Sequence, residues 1–510
     1  MPRVGLISLF VVESNGIRLL ASALRRAGYD TDEYYLGYHL HHVKRTLDAD
    51  DVKRLIATMR ERGVSVVGLS ARIGALLPQA IELTRAIQQE LRVPVVWGGA
   101  HVTMAPEECL DHADYLVLGE GESAMVEVTS RLMAGELATD IANVWTRAGG
   151  TEQRNPLRPL VADLDSLAYP DYHSNSDKFW FRDGRIDEGD PLAKEPVYRL
   201  MVTRGCVNNC GFCGVSAFRR LYEGRGRFYR VRSVENTLAE LEYALQVRPK
   251  IRRIRFDDEL FVPRKDWLED FCREYKARIN LPFDILSSPR ILDDQTIELL
   301  AGAGLDLVYL GVQTTGAANQ ARYERTVPDH DVRRCVAKLA EHGVRPVVQV
   351  LIDDPDASLA EKRALLGVLL ALPRPYDLLI YSLCHWPGTS RTLQLLEEGR
   401  IGPEDVEGRN DKVLRQFNAD FTRPRAAVDE LFLALYMLAN KRLVPRPILF
   451  WLSSHGYFAE NPQRVVELAR AVNMGKLVVR GSSALLRGEL SFHTLRQWLG
   501  DWNNRSLPSI

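Results

Sequence analysis

Cys206, Cys210 and Cys213 stand in a C-x3-C-x2-C array within RGCVNNCGFCGVS, residues 204–216, and the chain's other four cysteines lie far away. Three soft thiolates converging on one point make a metal or cluster site. A structural zinc ion usually takes four protein ligands. The nearest further cysteine, Cys272, falls in a helical pattern about sixty residues on, with no histidine close to the array. A four-iron cubane held by three thiolates leaves one iron open, so three cysteines suffice for substrate chemistry. Gly205, Gly211 and Gly214 let the backbone bend around such a bulky group.

The array must be held by the elements around it. It directly follows the apolar run VYRLMVT, a strand candidate, and therefore sits at a strand's carboxyl end, where barrel active sites are built. Further strand candidates begin near Ile251, Phe283, Leu305, Arg345 and Tyr376, separated by helical patterns. The clearest of these patterns puts Val332, Cys335, Val336, Leu339 and Ala340 on one face. Six βα units over residues 196–394 predict a partial (β/α)6 TIM-like barrel. Residues 395–510 are expected to be mostly helical, broken at Pro445 and Pro447.

Residues 1–135 alternate short apolar runs with amphipathic stretches. The runs are Val4–Leu9, Thr31–Tyr35, Val64–Ser70, Val93–Trp97 and Tyr115–Leu118. Leu76, Ala80, Leu83 and Ile87 mark one helical face between the third and fourth. This is an α/β pattern with a flavodoxin- or Rossmann-like parallel sheet. Small turns follow three strands: Ser70-Ala71-Arg72, Gly98-Gly99 and Gly119-Glu120-Gly121. Ligands bind at that end of such sheets. Residues 136–195, with four prolines and Gly and Asp clusters, read as an irregular linker.

C-x3-C-x2-C after the first strand of a partial barrel resembles the radical S-adenosylmethionine (SAM) superfamily. The resemblance implies a 4Fe-4S cluster at the triad, whose open iron chelates SAM and cleaves it to a 5′-deoxyadenosyl radical. Phe212 matches the aromatic usual before the last cysteine. IRFDDELF, residues 254–261, is similar to the segment that helps hold SAM's amine, which implicates Asp257, Asp258 and Glu259. GVQTT, residues 311–315, resembles the fourth-strand segment that usually reads GVES, with Gln313 in place of the common Glu. VVGLSAR, VVWGGAHVTMAPEE and YLVLGEGES together resemble the cobalamin-binding domain fused ahead of many radical SAM cores. Ser70, Arg72, Gly98, Gly99, Gly119 and Gly121 would then line the cobalamin site, glycine letting backbone approach the ligand. Two readings of Arg72 stand: beside the lower face of the corrin, or a solvated loop arginine. Cobalt-ligating D-x-H-x-x-G has no match after the first strand, which reads FVVESNG. Asp171-Tyr172-His173 begins like that motif but lacks its glycine and lies in the expected linker. The resemblance therefore implies cobalamin without a histidine ligand.

This class implies an enzyme, a methyltransferase acting on an unactivated carbon or on phosphorus through the adenosyl radical and methylcobalamin. The alternatives are a non-methylating cyclisation, ring contraction or rearrangement with the same cofactors, and a cobalamin sensor or carrier, for which an open-iron cluster has no use. Tyr309, Tyr381 and His385, at or just past strand ends, are candidate catalytic residues toward a small-molecule substrate. Reduction of the cluster calls for an electron donor such as flavodoxin or ferredoxin. The chain has 510 residues, 46% hydrophobic content and a net charge of -1. That balance points away from nucleic acid and anionic membranes. No apolar run reaches the length of a membrane span. Seven unevenly spaced cysteines make no disulfide framework. The run VGLISLFVV reads as a strand rather than a secretory leader, since Glu13, Asn15 and Arg18 interrupt it before Ala21-Ser22-Ala23. A cytoplasmic location is the expectation.

Overall fold

The computed structural model describes residues 3–37, 47–172, 176–182, 184–261, 263–406 and 424–473. The chain divides into two units, each made from several stretches. One comprises Met1–Glu259, Arg273–Leu281 and His385–Asp411. The other comprises Leu260–Cys272, Pro282–Cys384 and Lys412–Ile510.

The first unit is built on a sheet whose centre is β1 (Arg3–Leu9), β2 (Asp30–Leu36), β3 (Val64–Ser70), β4 (Val95–Gly98) and β5 (Tyr115–Val117). These five are parallel, in the order β5-β4-β3-β1-β2. That is the flavodoxin-like order, with its ligand crevice at the carboxyl ends of β1 and β3 where the winding reverses. Helices α1 (Asn15–Arg26), α2 (Ala49–Arg62), α3 (Leu77–Leu91), α4 (Ala100–Met104) and α5 (Glu122–Met133) connect the strands. The strands are apolar runs because both faces are covered. Ile17, Ala21 and Leu24 of α1 share one core cluster with Ala124, Met125 and Val128 of α5. Ala80, Leu83 and Ile87 are the buried face of α3, as their spacing predicts.

Residues 136–195 differ from the expected linker. They contain β6 (Val144–Thr146), β7 (Gln153–Arg154), β8 (Lys178–Arg182) and β9 (Arg185–Glu188). β6 pairs antiparallel with β5, and β7 with β6; β8 pairs parallel with β2, and β9 antiparallel with β8. The sheet therefore has nine strands. Buried charge fastens β8 to the rest. The guanidinium of Arg18 grips both oxygens of Asp190, with 2.8 Å from Nη2 to Oδ1. It also lies over the rings of Tyr35 and Tyr172, at 5.0 and 4.4 Å from their centroids. Lys178 Nζ stands 3.4 Å from Asp190 and 3.8 Å from Glu33, and donates to the Asp171 carbonyl oxygen at 2.8 Å. Asp171 and Tyr172, the start of the would-be cobalt motif, are thus part of this network, while residues 173–175 lie outside the described residues.

The same unit continues with β10 (Val197–Leu200), β11 (Thr203–Arg204), α6 (Gly214–Leu221), β12 (Arg230–Val231), α7 (Val234–Val247) and β13 (Arg253–Phe256). β10 and β13 are parallel, and β11 and β12 form a short antiparallel pair. The chain runs on through α8 (Lys265–Arg278).

The second unit carries β14 (Phe283–Ser287), α9 (Asp294–Ala303), β15 (Leu305–Gln313), α10 (Ala317–Arg322), α11 (Asp329–Glu341), β16 (Arg345–Ile352), α12 (Leu359–Ala371) and β17 (Asp377–Ser382). Its four strands are parallel and neighbour one another in chain order. These four strands, and β10 and β13 of the first unit, start within two residues of the expected positions. Val332, Cys335, Val336 and Leu339 are the buried face of α11. Beyond β17, the short α13 (Ser390–Glu397) returns to the first unit. α14 (Ala427–Ala439), α15 (Arg446–Ser454) and α16 (Gly456–Glu460) give the second unit a helical end. No described helix is long and apolar enough to cross a membrane.

Candidate functional site

The cysteine loop is held from several sides within the first unit. Asp258, just past β13, is buried and accepts from the backbone N–H groups of Val202 and Thr203, at 3.0 and 2.5 Å, and from the Thr203 hydroxyl at 2.6 Å. Gly205 has φ +84°, and a Cβ there would stand 2.4 Å from the Phe228 carbonyl oxygen, so the bend before Cys206 admits glycine alone. Arg219 donates to the Cys206 carbonyl oxygen. Ser216 donates to the carbonyl oxygens of Cys210 and Cys213, at 2.8 and 2.7 Å. The backbone N–H of Arg391, on α13, donates to the Gly211 carbonyl oxygen at 2.9 Å. Cys213 caps the N-terminus of α6, whose dipole favours a thiolate. Phe212 is half-buried in the same turn.

Burial pushes the Cys213 thiol up to about 12, and the charges of Cys210, Cys206 and Glu259 push in the same direction. The three sulfurs therefore act on one another in a desolvated place. Among the described residues no three His, Cys, Asp or Glu side chains converge closely enough for a single metal ion. Thiolates that each take one iron of a cubane need not converge on a single ion.

The acidic triplet after β13 separates into three roles. Asp258 is spent on the cysteine loop, and burial raises its pKa to about 7. Asp257 accepts from Arg199 at 3.0 Å and from Arg255 at 2.9 Å. Glu259 alone bonds to no neighbouring residue among the described residues. It reaches solvent, yet desolvation raises its pKa, with Arg204 and Arg230 opposing. Such a carboxylate is open to a cationic ligand group.

Arg72, after β3, behaves alike. It is exposed, but desolvation lowers its pKa against the opposing charges of Asp257 and Glu13. Among the charges acting on it, that of Asp257, at the end of β13, is the strongest. Ser70 and Gly98 pair across β3 and β4, and a Cβ on Gly98 would meet nothing nearer than the Val117 carbonyl oxygen at 3.5 Å. Gly99 packs on the Ala71 carbonyl. The other two glycines are closely packed. At Gly119, φ is +71° and a Cβ would collide with the Tyr222 hydroxyl, so protein rather than open space demands the glycine. Gly121 meets the Val117 side chain at 3.4 Å.

In the second unit, β15 ends in a bulge between Gly311 and Gln313, and Gln313 adopts a left-handed φ of +67°. Non-glycine residues rarely hold that conformation, and such strain clusters at ligand sites. Register places Tyr309 and Gln349 on the same sheet face as Tyr381. Gln349 Nε2 approaches the Tyr381 hydroxyl at 3.4 Å. Tyr309 and Tyr381 are half-buried, whereas Val308, Leu310, Val348 and Val350 on the opposite face are fully buried. Gln349 was not foreseen; an isolated polar residue inside the run VVQVLI is the signal that marks it. His385, assigned to the first unit, is buried and its backbone bridges to Val406.

Comparison with known proteins agrees with this layout. Residues 5–129 match the family model of the B12 binding domain, and residues 200–358 match that of the Radical SAM superfamily. The chain is similar to an uncharacterized methyltransferase of Pyrococcus horikoshii, 24% identical over 303 residues, 59% of this chain and 62% of that protein. It therefore spans somewhat less than two thirds of that relative's length. It is also similar to the bacteriochlorophyllide d C-8(2)-methyltransferase of Chlorobaculum tepidum, 24% identical over 371 residues, 68% of this chain and 71% of that protein. In fold it resembles the radical SAM methyltransferase TsrM of Kitasatospora setae, solved with cobalamin and a [4Fe-4S] cluster bound. The TM-score is 0.62 at 16% identity, covering 93% of this chain and 100% of that one.

Proposed function

We propose that this chain, whose residues 5–129 match the B12 binding domain and residues 200–358 the Radical SAM superfamily, is a cobalamin-dependent radical SAM enzyme using a [4Fe-4S] cluster, SAM and cobalamin, and that it methylates an unactivated carbon, or phosphorus, of a small molecule. The observation that carries the reading is that one unit holds both the flavodoxin-like sheet, with its glycine-bearing strand ends, and the cysteine loop that follows β11. When bound, the cluster and SAM supply a hydrogen-abstracting radical and cobalamin supplies the methyl group.

The residues divide the work. Cys206, Cys210 and Cys213 hold three irons. Glu259 accepts the ammonium of SAM, because Asp258 is committed to Val202 and Thr203, and Arg199 and Arg255 already neutralise Asp257. Phe212 packs in the turn of the cysteine loop. Ser70, Gly98 and Gly99 floor the cobalamin site, and Arg72 stands under it. In the second unit, the likeness of GVQTT assigns Gln313 a ligand role. Tyr309, Gln349 and Tyr381 offer hydrogen bonds from a half-buried face suited to substrate. His385, buried and bridged through its backbone, serves packing. A flavodoxin or ferredoxin is the proposed source of the electron.

The test uses deuteromethyl-SAM and candidate substrates. The product should gain the labelled methyl group, with S-adenosylhomocysteine and 5′-deoxyadenosine released in a ratio of about one to one. Deoxyadenosine with an unmethylated, rearranged or cyclised product would sink methyl transfer and leave the cofactor residues standing.

A second prediction concerns cobalt. With no histidine after β1, electron paramagnetic resonance of the Co(II) form should show no nitrogen splitting from an axial ligand; observing such splitting would refute the arrangement. Gly98→Leu should lose cobalamin while Gly98→Ala retains it, since a Cβ there has room and a longer side chain would enter the ligand's space.

A further inference from the structure

The loop after β5 carries Gly119-Glu120-Gly121-Glu122, and its carboxylates turn toward the cysteine loop. Glu120 accepts from Arg230 Nη1 and Nη2 at 3.0 and 2.8 Å, from Arg204 Nη1 at 3.2 Å and from the Val161 N–H at 2.9 Å. Glu122 accepts from the other terminal nitrogen of Arg204. The Glu120 N–H donates to the Tyr222 hydroxyl at 3.1 Å, the same hydroxyl that excludes a side chain at Gly119. Burial alone would raise the Glu120 pKa, but the two arginines hold it below the usual carboxylate range.

Arg204 and Arg230 face each other directly across β11 and β12. Like charges opposed on an antiparallel pair destabilise it. Here one carboxylate lies between them and relieves the repulsion. β11 ends two residues before Cys206, so the pair that launches the cluster loop closes around an anion lent by the flavodoxin-like sheet. Side-chain exposures of 6% for Arg230, 15% for Glu120 and 19% for Arg204 mean that water screens these charges weakly.

We propose that Glu120, clamped by Arg204 and Arg230, is a positioning residue that fixes the cluster loop relative to the cobalamin-binding sheet, and so sets the spacing of the two cofactors. The inference rests on the cofactor placement proposed above. It also gives the Gly-Glu-Gly-Glu stretch a task other than contact with the corrin. Hydrogen abstraction and methyl delivery must act on one substrate, and small misplacements between reacting groups cost rate steeply.

The experiment loads wild type and Glu120→Gln with cobalamin, iron and sulfide, and reads the spacing between Co(II) and the reduced cluster by pulsed electron paramagnetic resonance. Glu120→Gln should retain both cofactors, show a displaced or broadened distance distribution, and raise deoxyadenosine released per S-adenosylhomocysteine by about tenfold or more. Adding Arg230→Gln removes the opposed charge, so E120Q/R230Q should move back toward wild type. A distribution in fully loaded E120Q identical to wild type, or a double variant worse than the single, would overturn the clamp. Should Glu120→Gln fail to fold, Glu120→Asp and Arg204→Lys carry the same comparison. Wild type that loads neither cofactor would instead overturn the placement on which the inference rests.

Discussion

Protein in which Cys206, Cys210 and Cys213 are all replaced by alanine is expected to hold essentially no iron or sulfide after anaerobic reconstitution, and to lack the charge-transfer absorbance of a cluster. The four remaining cysteines cannot substitute. Cys109 and Cys335 have no exposure, and Cys272 and Cys384 have 5% and 8%. Burial by itself pushes Cys272 up to about 12. Cys213 is pushed to a similar value, but there Cys210, Cys206 and Glu259 contribute. One is a small core hydrophobe; the other belongs to a set of sulfurs that iron would neutralise. Replacing Cys109, Cys272, Cys335 and Cys384 should therefore leave iron content unchanged, at some cost in packing. A triple variant that still binds four irons would refute the assignment.

The cluster loop was legible because its signal is local. Three cysteines and three glycines lie within ten residues, and the apolar run before them places the loop at a strand end. The central strands were legible too, since parallel strands covered on both faces are continuous apolar runs. The acidic triplet was legible as a group but not in its division of labour. Successive residues leaving a strand point to different sides. Asp258 thus turned to Val202 and Thr203, Asp257 to two arginines and Glu259 to solvent. No spacing rule assigns those directions. Gly119 follows a strand end as Gly98 and Gly99 do, yet the group that demands it is the hydroxyl of Tyr222, far along the chain.

The strands in residues 136–195 were hidden for a different reason. They are short, and their partners β5 and β2 are remote in sequence. β8 reads KFWFR and β9 reads RIDE, without clean alternation. Lys178 and Asp190, which look like surface residues, are buried. Charges are seldom buried unless paired, and a pair made across the chain leaves no periodic trace.

The same network yields the largest expected loss of stability. Asp190→Ala should destabilise the first unit by about 3–5 kcal/mol, because the Arg18 guanidinium would remain buried without its bidentate partner. The loss would be read as a lower denaturant midpoint of the unit's unfolding transition, followed by near-ultraviolet circular dichroism. Water cannot easily compensate, as neither Arg18 nor Lys178 has any exposure. Arg18 and Lys178 already hold the Asp190 carboxyl below its usual range despite burial, so it is ionised at neutral pH and its charge is part of the balance. Glu33 shares the cavity, and burial raises it, so it takes over Asp190's role only in part. Replacing Arg18 with methionine in the Asp190→Ala background should recover much of the loss, since an apolar pair of similar volume needs no counter-charge. A linker outside the fold would make Asp190→Ala nearly neutral. A change below about 1 kcal/mol would return residues 136–195 to that status. A large loss rescued by methionine would establish that β8, β9 and the turn at Asp190 complete the domain whose central strands β3 and β4 carry the proposed cobalamin floor.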